Sequence, residues 1–347
     1  MKHFFCFLWV FLFAVNLVAQ DKNAEGNVGP VKFSGLVFAD LFYNADAINP
    51  ADKDINGFNF KRIYITTDYT IDDKFSTRFR IESALSNGSN IGVFIKDAWL
   101  KWRNIFEGSD FIVGMSPTPA YEVSEGAWGY RSLEKTIMDY FGIVSSKDIG
   151  LDLKGKLVES GIARYWLKIG NGSGNKPETD KYNRYYAQLQ FTPGDFLITL
   201  YGDYNSLPQK LDPADSIKKN NSAFVAAGFI SYKYEKTFTL GIEGFIKSQQ
   251  NNFSVTPNNL RETQSGFGVS FWAKTMLSET VGIVGRYDMF DPNTNSSAKN
   301  DMQSLIIGAV DFKVAKNVSI MPGVEVRTLE GTDNNDLTPK VTFFWQF

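Results

Sequence analysis

The chain has 347 residues, with 36 Lys plus Arg against 38 Asp plus Glu, 15% aromatic residues, 29 glycines, and a single cysteine and histidine. A near-neutral balance carries no overall electrostatic footprint for nucleic acid, so no nucleic-acid partner is expected. The only cysteine and histidine are Cys6 and His3, so a chain shortened at its N-terminus has no thiolate nucleophile, imidazole base or Cys/His zinc site.

Residues 1–19 read as a secretory signal peptide. Lys2 supplies a basic start, Phe4 to Val15 an apolar run, and Asn16-Leu17-Val18-Ala19 a small-residue cleavage site. Cleavage after Ala19 removes His3 and Cys6 together, and a non-enzyme is expected. A short segment, 20–30, follows. No later stretch approaches the roughly 18 apolar residues of a transmembrane helix.

From residue 31 onward the pattern is alternation. Phe75, Phe79 and Ile81 oppose Arg78, Arg80 and Glu82; Ala163, Tyr165, Leu167 and Ile169 oppose Arg164, Trp166 and Lys168; Tyr185, Ala187, Leu189 and Phe191 oppose Arg184, Tyr186, Gln188 and Gln190. One apolar and one polar face per segment predicts strands. Strand cores are expected near 31–43, 58–71, 75–86, 91–102, 109–117, 147–157, 161–170, 182–192, 196–205, 221–234, 238–248, 262–275, 281–290, 302–314, 318–329 and 338–347. Their connections alternate between short and long. Short periplasmic turns and longer external loops belong to an outer-membrane β-barrel; a soluble sandwich has no reason to order its loops this way. A transmembrane antiparallel barrel of about sixteen strands over 31–347 is therefore predicted. The connection 87–90 is short for an external loop, 103–108 is long for a turn, and Pro322 calls for a bulge.

The segment 118–146 is the longest connection and is too apolar for a solvated loop. Trp128, Tyr130, Leu133, Ile137, Met138, Tyr140 and Phe141 need a surface to pack on, and the barrel lumen is the only large one. Ser132 is the expected N-cap of a short helix within it.

Three stretches carry a resemblance: Phe94-Ile95-Lys96-Asp97-Ala98-Trp99-Leu100-Lys101-Trp102, Trp128-Gly129-Tyr130-Arg131-Ser132 and Asp148-Ile149-Gly150-Leu151. With them the chain resembles sixteen-stranded bacterial porins and is most similar to the phosphate-selective porin family. The resemblance implies that 118–146 folds inward as a constriction loop, that the protein is a homotrimer, and that it passes small polar or anionic, phosphate-like solutes. This loop departs from the family's basic pattern, since Arg131 and Lys135 sit beside Glu122, Glu125, Glu134 and Asp139.

Candidate pore-lining residues on the polar strand faces are Arg78, Arg80, Glu82, Lys96, Arg164, Lys168, Arg184, Arg286 and Arg327. A basic wall opposite an acidic loop sets up a transverse field; the plainer reading is that these charges pair with one another and hydrate the lumen. No metal or cofactor is expected. The final strand places Phe343, Trp345 and Phe347 on one face. That face suits outer-membrane lipid, and the terminal strand resembles the signal read by the barrel-assembly machinery. A passive channel in the bacterial outer membrane is the leading expectation, and an adhesin or structural barrel with a closed lumen the alternative.

Overall fold

The structure is a computed structural model that describes residues 30–85, 91–235, 237–255, 260–295 and 297–347. The expected signal peptide, nearly all of 20–30 and the connection at 87–90 lie outside the described residues. Five strands precede the long apolar segment: β1 (Lys32–Tyr43), β2 (Asn56–Thr70), β3 (Phe75–Leu85), β4 (Ile91–Phe106) and β5 (Ser109–Pro117). After it come β6 (Lys147–Lys156), β7 (Ala163–Gly170), β8 (Arg184–Phe191) and β9 (Phe196–Asn205). A two-residue ribbon, β10 (Lys210–Leu211) with β11 (Lys218–Lys219), sits in the next connection. The chain finishes with β12 (Ala223–Tyr234), β13 (Phe238–Val255), β14 (Leu260–Met276), β15 (Val281–Asp291), β16 (Gln303–Ala315), β17 (Val318–Leu329) and β18 (Asp336–Gln346).

All of these except the ribbon form one closed barrel of sixteen strands, each antiparallel to its neighbours in sequence. β18 returns to β1 with Phe343 opposite Ala39 and Trp345 opposite Val37. The last bond of the seam is reciprocal: Gly35 N donates to Phe347 O at 2.7 Å and Phe347 N to Gly35 O at 3.0 Å. Closure leaves no sheet edge, the condition lipid imposes on a strand protein. Among the described residues no helix is long and apolar enough to cross a membrane.

The two faces sort as the alternation requires. On β7, Leu167 and Ile169 are 48% and 50% exposed on the outside while Trp166 and Lys168 are buried on the inside. On β18, Lys340 and Thr342 are buried inside, and Phe344 packs on an interior cluster. Phe343, Trp345 and Phe347 therefore share the outer face, where the Phe347 ring lies 6.5 Å from that of Phe33. Gly35 makes room for this ring; a Cβ there would sit 2.1 Å from it.

Several boundaries differ from expectation. The turn at 103–108 shrinks to Glu107-Gly108, because β4 runs on to Phe106 through a register shift after Trp102. Asn104, at φ +49°, absorbs the extra residues. Pro322 lies within β17 without a bulge. The β16–β17 ladder omits the residues facing Pro322 and Met321 but keeps its register on both sides, and the shift falls at Lys313–Ala315 instead. A missing N–H removes one ladder bond, and flanking pairs hold the alignment. β13 extends to Val255 rather than 248, so much of that expected external loop is strand.

Candidate functional site

The segment 118–146 lies against the inner wall. It contains α1 (Glu122–Trp128) and α2 (Ile137–Tyr140), and α1 ends on Gly129 at φ +71°, whose N–H returns to Glu125 O. Two apolar clusters hold it. Trp128 and Leu133, both fully buried, pack with Phe229, Trp272, Val284, Leu305, Ile307 and Met321. Tyr121, Ile137, Met138 and Val144 pack with Tyr186, Tyr201, Val225, Phe245 and Phe290. The apolar residues singled out in sequence thus find their partners on the wall from β8 to β17.

No helix starts at Ser132. The carbonyls such a helix would use are taken by wall side chains and by Trp128 of the segment itself. Leu133 O accepts from Lys61 at 2.6 Å and Lys340 at 3.2 Å, Glu134 O accepts from the Trp128 indole at 2.9 Å, and Lys135 O accepts from Arg286. At the other end, Lys274 donates to Ala127 O at 2.6 Å and Trp128 O at 3.0 Å. Buried donors need acceptors, and an irregular backbone supplies more free carbonyls than a helix.

The charges within the segment are mostly paired. Arg131 binds Glu125 at 2.6 Å, Asp139 at 3.0 Å and the Tyr64 hydroxyl at 2.6 Å. Burial alone would raise the Glu134 carboxyl, but Lys61 and Lys340 outweigh it and hold it at about 2. Burial lifts the Glu125 carboxyl above its ordinary value, against the pull of Arg131. Lys135 has no carboxylate partner among the described residues. Neither has Glu122, which is exposed and accepts no hydrogen bond there.

Eight of the nine candidate wall residues are also ion-paired: Arg78 with Asp68, Arg80 with Asp97, Glu82 with Arg62 and Lys96, Lys168 with Asp152, Arg184 with Asp203, Arg286 with Asp288, and Arg327 with Asp336. The plainer sequence reading describes these. Arg164 is the exception; it is exposed and reaches only the Gly161 carbonyl at 3.4 Å.

Off the barrel axis, along β1–β8 and the last strands, the segment leaves three cavities that share lining residues. One of about 280 Å³ lies between Arg78, Arg80, Lys96 and Lys147 on the wall and Glu122, Glu125 and Arg131 on the segment. It shares Arg80, Glu122, Glu125 and Arg131 with one of about 800 Å³, which reaches Lys274, Asp311, Lys313 and Lys316. A third, of about 570 Å³, is bordered by Glu122, Lys101, Lys154, Lys156 and Arg164. The latter two open toward the short-turn end of the barrel, since their liners sit beside the turns after β4, β6, β14 and β16.

Beside the smallest cavity, Arg62, Arg78, Arg80, Lys96 and Lys147 share three carboxylates, Asp68, Glu82 and Asp97. That wall keeps an excess of positive charge. Further on, Lys154, Lys156, Lys274, Lys313 and Lys316 have no carboxylate at ion-pair distance among the described residues. Lys154 instead rests 4.0 Å from the Trp166 ring centre. None of these five lysines was a sequence candidate. Four of them occupy polar strand faces and Lys316 the turn after β16, positions visible in the sequence, but their lack of partners depends on which strands adjoin.

Neither protein-family models nor curated proteins match this chain. Solved structures do. The DcaP channel of Acinetobacter baumannii superposes with a TM-score of 0.66 at 12% identity, covering 91% of this chain and 97% of that one. The anion-selective porin of Comamonas acidovorans gives 0.64 at 9% identity over 92% and 99%. Salmonella typhi OmpF gives 0.64 at 13% over 91% and 97%. At these identities the likeness is one of fold, and the chain has the outer-membrane porin fold.

Proposed function

We propose that this chain is an outer-membrane porin through which small hydrophilic solutes diffuse passively, with anions favoured over cations. Charged cavities beside the inward segment, in a barrel whose outer face is apolar, carry the reading: the exterior suits lipid and the interior suits water and ions. The same cavities weigh against an adhesin or structural barrel with a closed lumen. The segment 118–146 acts as the constriction, because it occupies one side of the lumen and leaves a cavity of about 280 Å³ between itself and the β2–β6 wall. Anion preference follows from the excess of unpaired lysines, with Arg164, over Glu122 and Asp311. This preference extends to anions as a class, with phosphate one member. The fold's likeness to porins, one solved as an anion-selective channel, supports the same view. Assembly as a homotrimer and recognition of Phe343, Trp345 and Phe347 by the barrel-assembly machinery belong to the proposal.

Planar-bilayer recordings test it. Refolded protein in a KCl gradient is expected to conduct and to give a reversal potential on the chloride side. Joint replacement Lys154→Gln, Lys156→Gln and Arg164→Gln should move that potential toward the potassium side. Absence of conductance from pure, folded protein would sink the proposal.

A further inference from the structure

A fourth cavity, of about 250 Å³, lies among β8, β9, β12, β13 and β14 and shares no lining residue with the other three. Its liners Asn205, Gln249, Asn252 and Gln264 sit toward the strand ends farthest from the short turns, so it stands at the external mouth. From the segment only the uncharged Phe141, Gly142 and Ile143 border it. The lining holds four side-chain amides and no carboxylate. Asn205 has no side-chain hydrogen-bond partner among the described residues. The other three are held in place: the Gln249 amide donates to Asn221 Oδ1 at 2.9 Å, that of Gln264 to the Pro292 carbonyl at 3.2 Å, and that of Asn252 to Gln264 Oε1 at 2.6 Å. Each of these keeps a second N–H, and Gln249 keeps its oxygen.

Two cations border the cavity. Arg184 is neutralised by its two bonds to Asp203. Lys247 has no carboxylate at ion-pair distance among the described residues, and its ammonium rests 5.1 Å from the Phe290 ring centre. The half-buried Phe141 ring lies 4.4 Å from the same centre. One free cation, pre-positioned amides and an aromatic ring thus converge on a space large enough for a monosaccharide.

We propose that this cavity is a binding site for a monosaccharide that carries a carboxylate, a uronic acid. Its carboxylate lies toward Lys247, and its hydroxyls, each both donor and acceptor, meet the amides of Asn205, Gln249, Asn252 and Gln264, which offer both functions. The C–H face of the sugar suits the electron-rich face of Phe141. A simple anion gains the lysine and leaves the amides to water. A neutral sugar gains the amides and leaves the lysine. A charge-assisted hydrogen bond in a half-buried site is worth about a tenfold gain in affinity over the neutral sugar.

The external placement rests on the porin reading, and the test separates the two. Refolded protein in micelles is titrated with D-glucuronate, D-glucose and acetate by ligand-observed NMR, which needs no conductance. Glucuronate is expected to bind saturably, about tenfold tighter than either comparator. Lys247→Gln should bring glucuronate down to the level of glucose, and Lys247→Arg should keep most of the difference. Asn205→Ala should weaken both sugars and leave acetate unchanged. Because neither Lys247 nor Asn205 has a side-chain hydrogen bond or ion pair among the described residues, the variants should fold as wild type does, which a heat-modifiable gel shift verifies. In planar bilayers, glucuronate added on the external side should interrupt the wild-type current in a concentration-dependent way and leave Lys247→Gln undisturbed. Glucuronate binding no tighter than acetate, or unchanged in folded Lys247→Gln, refutes the site. Conductance without glucuronate binding refutes the site and leaves the channel standing. Binding without conductance leaves the site and refutes the channel.

Discussion

Trp128 is the residue on which docking of the inner segment depends most, and its replacement by alanine tests the packing argument directly. The indole is fully buried, its ring centre lies 5.6 Å from that of Trp272 and 5.7 Å from that of Tyr130, and its N–H donates to Glu134 O at 2.9 Å. Truncating a buried aromatic of this size costs about 3–5 kcal/mol. The freed Glu134 carbonyl adds to that where water cannot reach it. A loss of about 4 kcal/mol raises the undocked population roughly a thousandfold. The cost falls on docking and not on the barrel, because no bond of the sixteen-stranded ladder involves this side chain. Trp128→Ala should therefore still run as a folded, heat-modifiable barrel. Its single-channel conductance should rise and become noisier as the segment leaves the wall. Hydrogen exchange over 122–140 should quicken by orders of magnitude. Trp128→Phe, which keeps most of the ring, should show a small fraction of each effect. A folded Trp128→Ala protein with unchanged conductance, noise and exchange would refute the claim that these contacts hold the segment in place.

Two further outcomes follow from the seam and from the segment's charges. Gly35→Val should push the Phe347 ring off the seam, since its Cβ would fall within that ring; the ring ends an exposed side chain that can swing aside, so thermal stability should fall modestly while the barrel still closes, and Phe347→Ala should make the Gly35→Val change neutral. A Gly35→Val cost that persists in the Phe347→Ala background would contradict the seam as described. For pH, Glu125 has a carboxyl raised by burial, so it takes up a proton at a higher pH than an ordinary glutamate. Acidification from neutrality therefore protonates Glu125 before an ordinary glutamate, removing negative charge beside the cavity of about 280 Å³, while Glu134, held low by Lys61 and Lys340, stays ionised. Chloride-to-potassium permeability should rise as the pH falls, at a higher pH than an ordinary glutamate would give, and Glu125→Gln should abolish the rise. A flat profile in wild type would remove Glu125 from the passage.

Much of the barrel was legible because strand alternation and loop length are local properties. Phe79 between Arg78 and Arg80, or Leu167 between Trp166 and Lys168, declares which side faces out without knowledge of any neighbour. The misreadings arose where a non-local partner overrides a local rule. Ser132 has the sequence of a helix cap, but Lys61, Lys340 and Arg286, from β2, β18 and β15, claim the carbonyls that follow it. Pro322 calls for a bulge, but the flanking pairs at Gly323 and Ile320 and the β17–β18 ladder hold the register. The apolar content of 118–146 told that it must be covered, and the covering wall, β8 to β17, appears only once the ring has closed.

The charges divide in the same way. Sequence alone determined that the inner face would be charged, that arginines would be prominent there and that the segment would be mixed in sign. It could not distinguish a neutralised cation from a free one. Arg184 and Arg164 occupy equivalent polar positions, but Asp203 on the adjoining strand lies 2.8 Å from the first, while the second has only a carbonyl. Pairing is set by which residues face each other across a ladder, and ladder register is a property of the closed sheet. The sequence therefore determined a barrel with a polar interior and an inward segment. The tertiary structure decided which charges remain to act on a solute: a group of lysines with Arg164 on one side, and Glu122 on the other.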